Sequence, residues 1–257
     1  MGCMSEHSGT GLPFGIDFGG TGIKGAPVDL EKGEFAEERV RIDTPHPATP
    51  DAVADVFAEL LGQFDDSDGK VGVTVPGVVR RGVVLSAANI DKAWIGEDAD
   101  KLITDRTGRD VHVVNDADAA GLAEVRYGAA KGRRGLVIVT TLGTGIGSAL
   151  VYDGVLVPNS ELGHIEIDGH DAESRAASSA REREDLSWED WAKRLTAYYR
   201  KLEFLFSPEL FVVGGGISKK ADKFLPLVDI ETDIIPAELR NAAGIVGAAL
   251  YATESGD

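Results

Sequence analysis

The sequence predicts an α/β protein built from two related lobes. The segment Gly20-Thr21-Gly22-Ile23 recurs in the second half of the chain as Gly143-Thr144-Gly145-Ile146. Each copy lies between short apolar runs rich in β-branched residues, a pattern typical of strand, tight turn and strand. Further predicted strands alternate with predicted helices. We therefore expect one glycine-rich turn in each lobe.

The two turns predict a two-sided phosphate clamp. They carry no long side chain, so a ligand can approach their backbone N–H groups, which form a concave nest for anions. Glycine is needed where φ is positive or where the backbone meets a phosphate closely, and threonine adds a hydroxyl donor. A single turn of this kind is more often an ordinary hairpin. The repeat favours the ligand site.

Composition excludes several classes of protein. The 257 residues include 26 basic and 43 acidic side chains, a net charge of −17. An acidic surface repels polyanions, which argues against nonspecific binding of nucleic acid or anionic membranes. No apolar stretch approaches the ~20 residues that span a bilayer. We expect neither nucleic-acid nor membrane partners.

The N-terminal segment and the cysteine count suggest an intracellular protein. Residues 1–10 lack the apolar centre of a signal peptide. Cys3 is the single cysteine, which excludes an intrachain disulfide and a cysteine zinc cluster. We expect residues 1–13 to be a disordered leader and the protein to be cytoplasmic.

The first half alternates predicted strands with a helix. Thr49 as N-cap and Pro50 at the first helical position begin that helix, and its apolar spacing predicts one buried face. Trp94 is expected in the core or at a hinge. The predicted strands are 14–18, 23–28, 35–42, 70–75, 78–85 and 111–114.

The second half ends in helical segments. Helices are predicted over 176–185, from Ser187, and over 239–251. Ser187 with Asp190 resembles a capping box, and the strand 210–213 leads into Gly214-Gly215-Gly216. Those glycines suit either a nucleotide or a tight strand–helix connection.

Asp17 is a candidate ligand for a metal ion. It ends its strand facing the first turn, where a carboxylate beside phosphates calls for a cation such as Mg²⁺ between them. The alternative is an Asp that caps the turn. Lys24 is either a phosphate partner or a solvated lysine.

Asn115 and Asp116 follow a predicted strand, where ligands gather in α/β folds. Asp116 is therefore in a good place for chemistry. Asp116 and Asp118 are equally well placed as helix N-caps. The residues alone leave both interpretations open.

The segment 159–173 combines two histidines with several carboxylates, which could suggest a metal site. The alternation of Ile165 and Ile167 with Glu166 and Asp168 instead predicts a strand with one solvated face.

A basic loop at Lys131, Arg133 and Arg134 is the densest group of cations in this acidic chain. Such a loop is usually only solvated. A ligand that is a chain of phosphates would need a run of cations, for which Lys24, Arg80 and Arg81 are further candidates.

The motifs resemble those of a known superfamily. Asp17-Phe18-Gly19-Gly20-Thr21 with Lys24, and Leu142-Gly143-Thr144-Gly145, are similar to the two phosphate loops of actin-like sugar kinases. Within it the chain resembles the ROK family (repressors, open reading frames, kinases), and there the polyphosphate glucokinases. The match runs from about Phe14 to about Tyr251.

The resemblance implies a two-lobed actin-like (ribonuclease H-like) fold with a cleft between the lobes. It places residues 14–114 in the N-terminal lobe and 115–238 in the C-terminal lobe, with the helix 239–251 returning to the first.

The resemblance also assigns roles to residues. Asp116 would be the general base on the sugar 6-hydroxyl, and the metal would be Mg²⁺ near Asp17. The ROK zinc loop is absent, so no zinc is expected. Sugar contacts are implied for Gly77, Asn89, Asn115, Asp116, Glu161, His164 and Glu173. Donor phosphate contacts are implied for Asp17, Gly19, Gly20, Thr21, Gly22, Lys24, Thr141, Gly143, Thr144 and Gly145. Nucleotide contacts are implied for Gly214, Gly215 and Gly216. Two of the implied sugar contacts have a purely structural alternative, which is an Asx turn at Asn89 and a hairpin turn at Gly77.

The implied activity is phosphorylation of glucose, with mannose as a second acceptor, by inorganic polyphosphate or ATP in a homodimer. The alternatives are an ATP-only ROK glucokinase and a non-catalytic sugar-sensing regulator. About 13 residues precede the first strand, too few for a DNA-binding helix-turn-helix, and the net charge disfavours DNA.

Overall fold

The computed structural model describes residues 11–64 and 68–255. Most of the predicted leader lies outside them. The described chain forms two compact units. The first unit contains the residues up to Ala119 and those from Gly244 onward, and the second unit is Ala120–Ala243. We had expected the divisions at 114/115 and 238/239.

The first unit has a mixed six-stranded sheet and a separate two-stranded hairpin. Its strands are β1 (Phe14–Phe18), β2 (Gly22–Asp29), β3 (Glu34–Phe35), β4 (Val40–Asp43), β5 (Val71–Val75), β6 (Val79–Arg80), β7 (Val83–Val84) and β8 (Val111–Asn115). In the large sheet, β1, β5 and β8 are parallel, while β2 is antiparallel to β1. The order is β3-β2-β1-β5-β8, with β4 on β2, and β6 pairs with β7 in the hairpin.

The core of the first unit joins the sheet to two helices, α1 (Pro50–Leu61) and α2 (Ala99–Thr107). Trp94 is fully buried against Phe18, and its Nε1–H donates to the carbonyl of Ala48 at 2.9 Å. Trp94 is therefore a core residue. Thr49 is the N-cap of α1 as predicted, but its side chain makes no capping hydrogen bond.

Two predicted strands are each broken in two. The segment 35–42 forms β3 and β4, because β2 pairs Val28 with Phe35 but Gly25 with Val40, and the residues between are displaced from the ladder. The segment 78–85 is the hairpin of β6 and β7, which turns at Arg81 and Gly82 with φ of 53° and 77°.

The helix α2 was not predicted from the sequence. It buries only Ala99 and Ile103, so no periodic apolar stripe announces it. Its ends are well defined, since Asp98 accepts from the amide of Lys101 and Gly108 is left-handed at φ 69°. Both are standard helix caps.

The helix α3 (Asp116–Arg126) follows β8, and the boundary between the units falls within it. The second unit has a five-stranded sheet of order β11-β10-β9-β14-β15. Its strands are β9 (Leu136–Leu142), β10 (Ile146–Tyr152), β11 (Val155–Val157), β14 (Leu210–Gly214) and β15 (Ile234–Pro236), with β12 (Glu166–Ile167) and β13 (His170–Asp171) as a separate small pair.

Three helices cover the core of the second unit: α4 (Ala172–Ala176), α5 (Ser178–Arg183) and α6 (Trp188–Phe206). Ser187 caps α6 by accepting from the amide of Asp190, as predicted. The predicted helix 176–185 is interrupted, because Ala177 has extended backbone angles. The helix expected after Gly216 is a 3₁₀ segment, Gly216–Lys223.

The last helix, α7 (Ala243–Glu254), follows a 3₁₀ turn at Arg240–Ala242, where we expected one continuous helix from 239. It packs backbone to backbone within the first unit. A Cβ at Gly247 would lie 1.8 Å from the carbonyl oxygen of Ala119, and one at Gly72 would lie 1.8 Å from that of Ala248. The small residues of α7 permit this close approach.

Among the described residues, none of the helices combines the length and apolar content that a bilayer crossing requires.

Candidate active site

One edge of the sheet in the first unit collects several predicted site residues. The strands β1, β5 and β8 are parallel and in register, pairing Asp17 with Thr74 and Val75 with Asn115. Their carboxyl ends therefore lie side by side. This edge is where ligands gather in α/β sheets.

Asp17 is held by two side chains. Lys24 Nζ donates to Asp17 Oδ2 at 3.3 Å, and Thr74 Oγ1 donates to Asp17 Oδ1 at 3.3 Å. Thr74 Oγ1 also accepts from the amide of Phe18 at 3.0 Å. Thr74 was not predicted as a site residue, because it lies in an otherwise apolar strand that carries no motif.

The first glycine-rich loop, Gly19-Gly20-Thr21, is closed by its own backbone and by two residues that we did not predict. The amide of Gly19 donates to the carbonyl of Gly22 at 3.2 Å. Thr44 Oγ1 donates to the carbonyl of Gly19 at 2.6 Å, and Arg41 donates to the carbonyl of Thr21 at 2.9 Å. These contacts occupy carbonyl groups of the loop.

Gly22 lies against the flexible end of the Arg41 side chain and does not have a positive φ. None of Gly19, Gly20 and Gly22 has a left-handed φ. A Cβ at Gly22 would lie 2.7 Å from Arg41 Nε. Of the two reasons that the sequence suggests for these glycines, a positive φ and a close approach of the backbone to a phosphate, the first therefore does not apply.

Asn115 occupies the N-cap role that the sequence left between Asp116 and Asp118. It is buried, and its Oδ1 accepts from the amides of Ala117 at 2.8 Å and Asp118 at 3.1 Å. Its Nδ2 donates to the carbonyl of Gly77 at 3.0 Å. Asn115 thus ties the start of α3 to the Pro76-Gly77 turn.

Asp116 lies exposed at the first position of α3. Its Oδ1 accepts from the amide of Ala117 at 2.9 Å. The N-terminus of a helix stabilises a carboxylate through the aligned backbone dipoles. The structure thus places a carboxylate at the sheet edge, accessible to a ligand.

Gly77 and Asn89 lie near that edge. A Cβ at Gly77 would lie 2.1 Å from the carbonyl oxygen of Ser86, so packing requires glycine there. Asn89 is exposed and left-handed at φ 58°, and its carbonyl oxygen lies 3.4 Å from the position of a Cβ at Gly20. Asn89 is thus beside the first loop.

The second loop, in the second unit, is shorter than the sequence suggested. Thr141 belongs to β9, so the loop is Gly143-Thr144-Gly145, closed by the Gly143 amide on the Gly145 carbonyl at 3.0 Å. A Cβ at Gly143 would meet nothing within 4 Å, and Gly143 and Gly145 have ordinary φ values. The loop leaves open space over Gly143.

Ser179 supports this loop from α5. Its amide donates to the carbonyl of Gly143 at 3.0 Å, and its Oγ donates to the carbonyl of Thr144 at 2.6 Å. No motif pointed to Ser179, which lies in a charged, alanine-rich segment.

Glu173 joins the predicted sugar contacts to the second loop. Its Oε2 accepts from the amide of Ile146 at 3.0 Å. A Cβ at Gly145 would lie 2.3 Å from the same oxygen. Glycine at position 145 therefore leaves the space in which the Glu173 carboxylate lies.

His164 and Glu161 lie beside Glu173. His164 Nδ1 donates to Asp171 Oδ2 at 2.8 Å, a contact that we did not predict. This hydrogen bond raises the pKa of His164, and the charges of Glu173, Asp171 and Glu161 add to the effect while burial opposes it. Burial raises the pKa of Glu161, and the charge of Glu173 raises it further, while the charge of His164 lowers it.

One atom each of His164, Asp171 and Glu173 lie within 4.8 Å of one another, a spacing that could hold a cation. The predicted strand over 165–168 is only the small pair β12 and β13, which turns at Asp168 and Gly169 with φ of 52° and 75°. Glu166 and Asp168 are exposed, as expected.

Of the three predicted nucleotide-binding glycines, Gly214 is the last residue of β14, and the two that follow it differ in their surroundings. Gly215 has φ 81°, and a Cβ there would lie 2.4 Å from the carbonyl oxygen of Leu142. Its glycine is explained by the tight connection alone. A Cβ at Gly216 would meet nothing within 4 Å, so the backbone is open to a ligand there.

The basic candidates are divided between the units. Arg80 and Arg81 are exposed on the hairpin of the first unit. Lys131, Arg133 and Arg134 are exposed in the second. Lys24 pairs with Asp17, as described above.

Comparison with known proteins agrees with the motifs. Residues 13–177 match the ROK family. The chain is 52% identical over 238 residues to polyphosphate glucokinase of Mycobacterium tuberculosis strain CDC 1551, covering 92% of this chain and 89% of that protein.

Two solved structures are also similar. Inorganic polyphosphate/ATP-glucomannokinase from Arthrobacter sp. strain KM has a TM-score of 0.90 at 56% identity, covering 96% of this chain and all (100%) of the other. A ROK family glucokinase from Streptomyces griseus, in complex with glucose and AMPPNP, has a TM-score of 0.81 at 26% identity, covering 95% and 100%. The predicted family and α/β sugar-kinase fold are confirmed, and the chain belongs to the ROK family.

Proposed function

We propose that this protein transfers a phosphoryl group to the 6-hydroxyl of glucose, with inorganic polyphosphate as donor and ATP as a second donor. Mannose is a further acceptor. The names of the relatives support both donors and both sugars, since one is a polyphosphate glucokinase and another a polyphosphate/ATP-glucomannokinase.

One observation carries the proposal. Glu173, a predicted sugar contact, accepts from the amide of Ile146, which directly follows the predicted phosphate loop. An acceptor subsite and a donor subsite that share a hydrogen bond suit a reaction that joins a hydroxyl to a phosphoryl group. Such positioning supplies much of the catalysis of phosphoryl transfer.

In the proposed reaction, the Asp116 carboxylate accepts the proton of the sugar 6-hydroxyl. The hydroxyl oxygen forms a bond to the terminal phosphorus of the donor, while the bond from phosphorus to the bridging oxygen breaks and its electron pair leaves with the shortened donor. The loops at Gly19–Gly22 and Gly143–Gly145 would bind the phosphoryl oxygens through N–H groups. Lys24 and the threonines would add donors.

Mg²⁺ is the proposed metal. When bound, it would neutralise charge on the donor phosphates. Mg²⁺ is commonly held by one or two carboxylates together with substrate phosphates. Asp17 fits, because Lys24 and Thr74 orient its carboxylate at the sheet edge.

The proposal also covers the rest of the donor site, the location of the protein in the cell and its oligomeric state. Gly214 and Gly216 would lie beside the adenosine of ATP, and the exposed cations at Arg80, Arg81 and in the basic loop would follow a polyphosphate chain. We also propose that the protein is a cytoplasmic homodimer.

The test is glucose phosphorylation with polyphosphate and ATP supplied separately. We expect turnover with both, measured as glucose 6-phosphate formed. Turnover with ATP alone would leave an ATP-only glucokinase. If the protein binds glucose but forms no glucose 6-phosphate with polyphosphate or with ATP, the proposed enzymatic activity is contradicted and a sugar-sensing regulator is favoured.

A further inference from the structure

The ring of His164 is held at one nitrogen by Asp171. His164 Nδ1 donates to Asp171 Oδ2 at 2.8 Å. The backbone around Asp171 is itself fixed, because the amide of Ala172 donates to the carbonyl of Ile165 at 3.0 Å and Ser174 Oγ donates to the carbonyl of Asp171 at 2.6 Å. The carboxylate therefore meets the imidazole from a defined position.

This contact decides which nitrogen of His164 is left for a ligand. When Nδ1–H is bonded to a carboxylate, Nε2 is the nitrogen that can meet another group. Three carboxylates face the ring, those of Asp171, Glu173 and Glu161, and they favour its charged form. In that form Nε2–H is a hydrogen-bond donor.

Asp171 differs in this respect from the neighbouring acidic residue in the same hairpin. Asp168 lies in the turn between β12 and β13, where it is exposed and left-handed at φ 52°. Asp171 lies at the end of β13 and directly before α4. Of these two aspartates, Asp171 is the one whose carboxylate forms a hydrogen bond with His164.

We propose that Asp171 is a positioning residue for sugar binding, which fixes the His164 ring so that Nε2–H donates to a hydroxyl of the hexose. This inference rests on the proposed function, since it takes His164 as a sugar contact. A charged donor held in a fixed orientation makes a stronger hydrogen bond than a neutral one. It also discriminates against sugars that lack the hydroxyl.

The first experiment follows the imidazole of His164 by NMR in the wild type and in Asp171→Asn, using His164→Gln to identify the resonance. We expect the pKa of His164 to fall in Asp171→Asn, because the charged hydrogen-bond acceptor is lost. Asp168→Asn is the matched control, since it removes the same charge from the same hairpin without removing the contact. Equal pKa values in both variants would overturn the inference.

The second experiment measures KM for each substrate. Asp171→Asn should raise KM for glucose roughly tenfold, the effect of one charge-assisted hydrogen bond, and leave KM for polyphosphate unchanged. The charged form of His164 exists below its pKa, so KM for glucose should rise as pH passes through that pKa, and at lower pH in Asp171→Asn. A parallel change in both KM values, or none for glucose, would contradict a positioning role.

The two proposals can fail separately. Adding glucose during the NMR titration should shift the His164 resonance in the wild type, and less so in Asp171→Asn. A protein that shows these shifts but forms no glucose 6-phosphate contradicts only the proposed function. A protein that phosphorylates glucose with no shift at His164 contradicts only the role of Asp171.

Discussion

At the scale of single residues, the Asn115 side chain connects two parts of the site through three hydrogen bonds. Its amide caps α3 through the amides of Ala117 and Asp118, and it also donates to the carbonyl of Gly77. A side chain with both a donor and an acceptor can serve a helix and a turn together. The conformation at Asp116, the next residue, follows from these contacts.

We predict that Asn115→Ala destabilises the protein. It removes a helix cap, which contributes about 1 kcal/mol, and leaves the buried carbonyl of Gly77 without that donor, which costs about 1–3 kcal/mol. Denaturant unfolding should show a loss of about 2–4 kcal/mol. Asn115→Asp is the matched control, because it keeps the cap and loses only the donor, so its loss should be smaller. Equal losses would contradict the cap.

At the scale of elements, the second glycine loop depends on what lies behind it. Ser179 holds the carbonyls of Gly143 and Thr144, and Glu173 holds the amide that follows the loop. The loop is therefore fixed by α4 and α5, which follow the β12–β13 pair. Its N–H groups would be pre-organised for a phosphoryl group.

We predict that Gly145→Ala lowers kcat/KM for both substrates, because its Cβ would lie 2.3 Å from Glu173 Oε2 and would displace that carboxylate. We expect kcat/KM to fall by roughly tenfold or more, measured with glucose and with the phosphate donor, since small displacements in a positioned site are costly. Gly143→Ala is the control for glucose alone, because its Cβ meets no protein atom within 4 Å and leaves Glu173 in place, while it enters the space proposed for the donor phosphate. If Gly143→Ala impaired glucose binding as strongly, Glu173 would not be the cause.

The elements that could be predicted from the sequence are those whose signal is local. The β-branched runs of β1 and β9, the repeated Gly-Thr-Gly, and the cap at Ser187 are all contained in short windows. The helix α2 was not predicted, because it buries too few residues to show a period. Among site residues, Thr44 and Ser179 act through contacts to loops elsewhere in the chain, which no local pattern reveals. Asp171 contacts His164, which is close in sequence, but the pairing depends on the turn between β12 and β13.

At the scale of the whole molecule, each unit contributes a separate set of groups. The first unit provides Asp17, Asn115 and Asp116 at one sheet edge. The second provides Glu173 and His164 beside a glycine loop. The proposed enzyme needs an acceptor base from the first set and sugar contacts from the second, so its activity should depend on residues of both units.

The proposed reaction requires the Asp116 carboxylate to accept the proton of the sugar hydroxyl, which Asp116→Asn prevents. The substitution keeps the size of the side chain and removes its basicity. With glucose binding followed by calorimetry and turnover by glucose 6-phosphate formed, we expect binding to be retained and kcat to fall by about 10²–10⁴-fold, the usual contribution of a general base. A variant that binds glucose and turns over at close to the wild-type rate would show that Asp116 is not the general base.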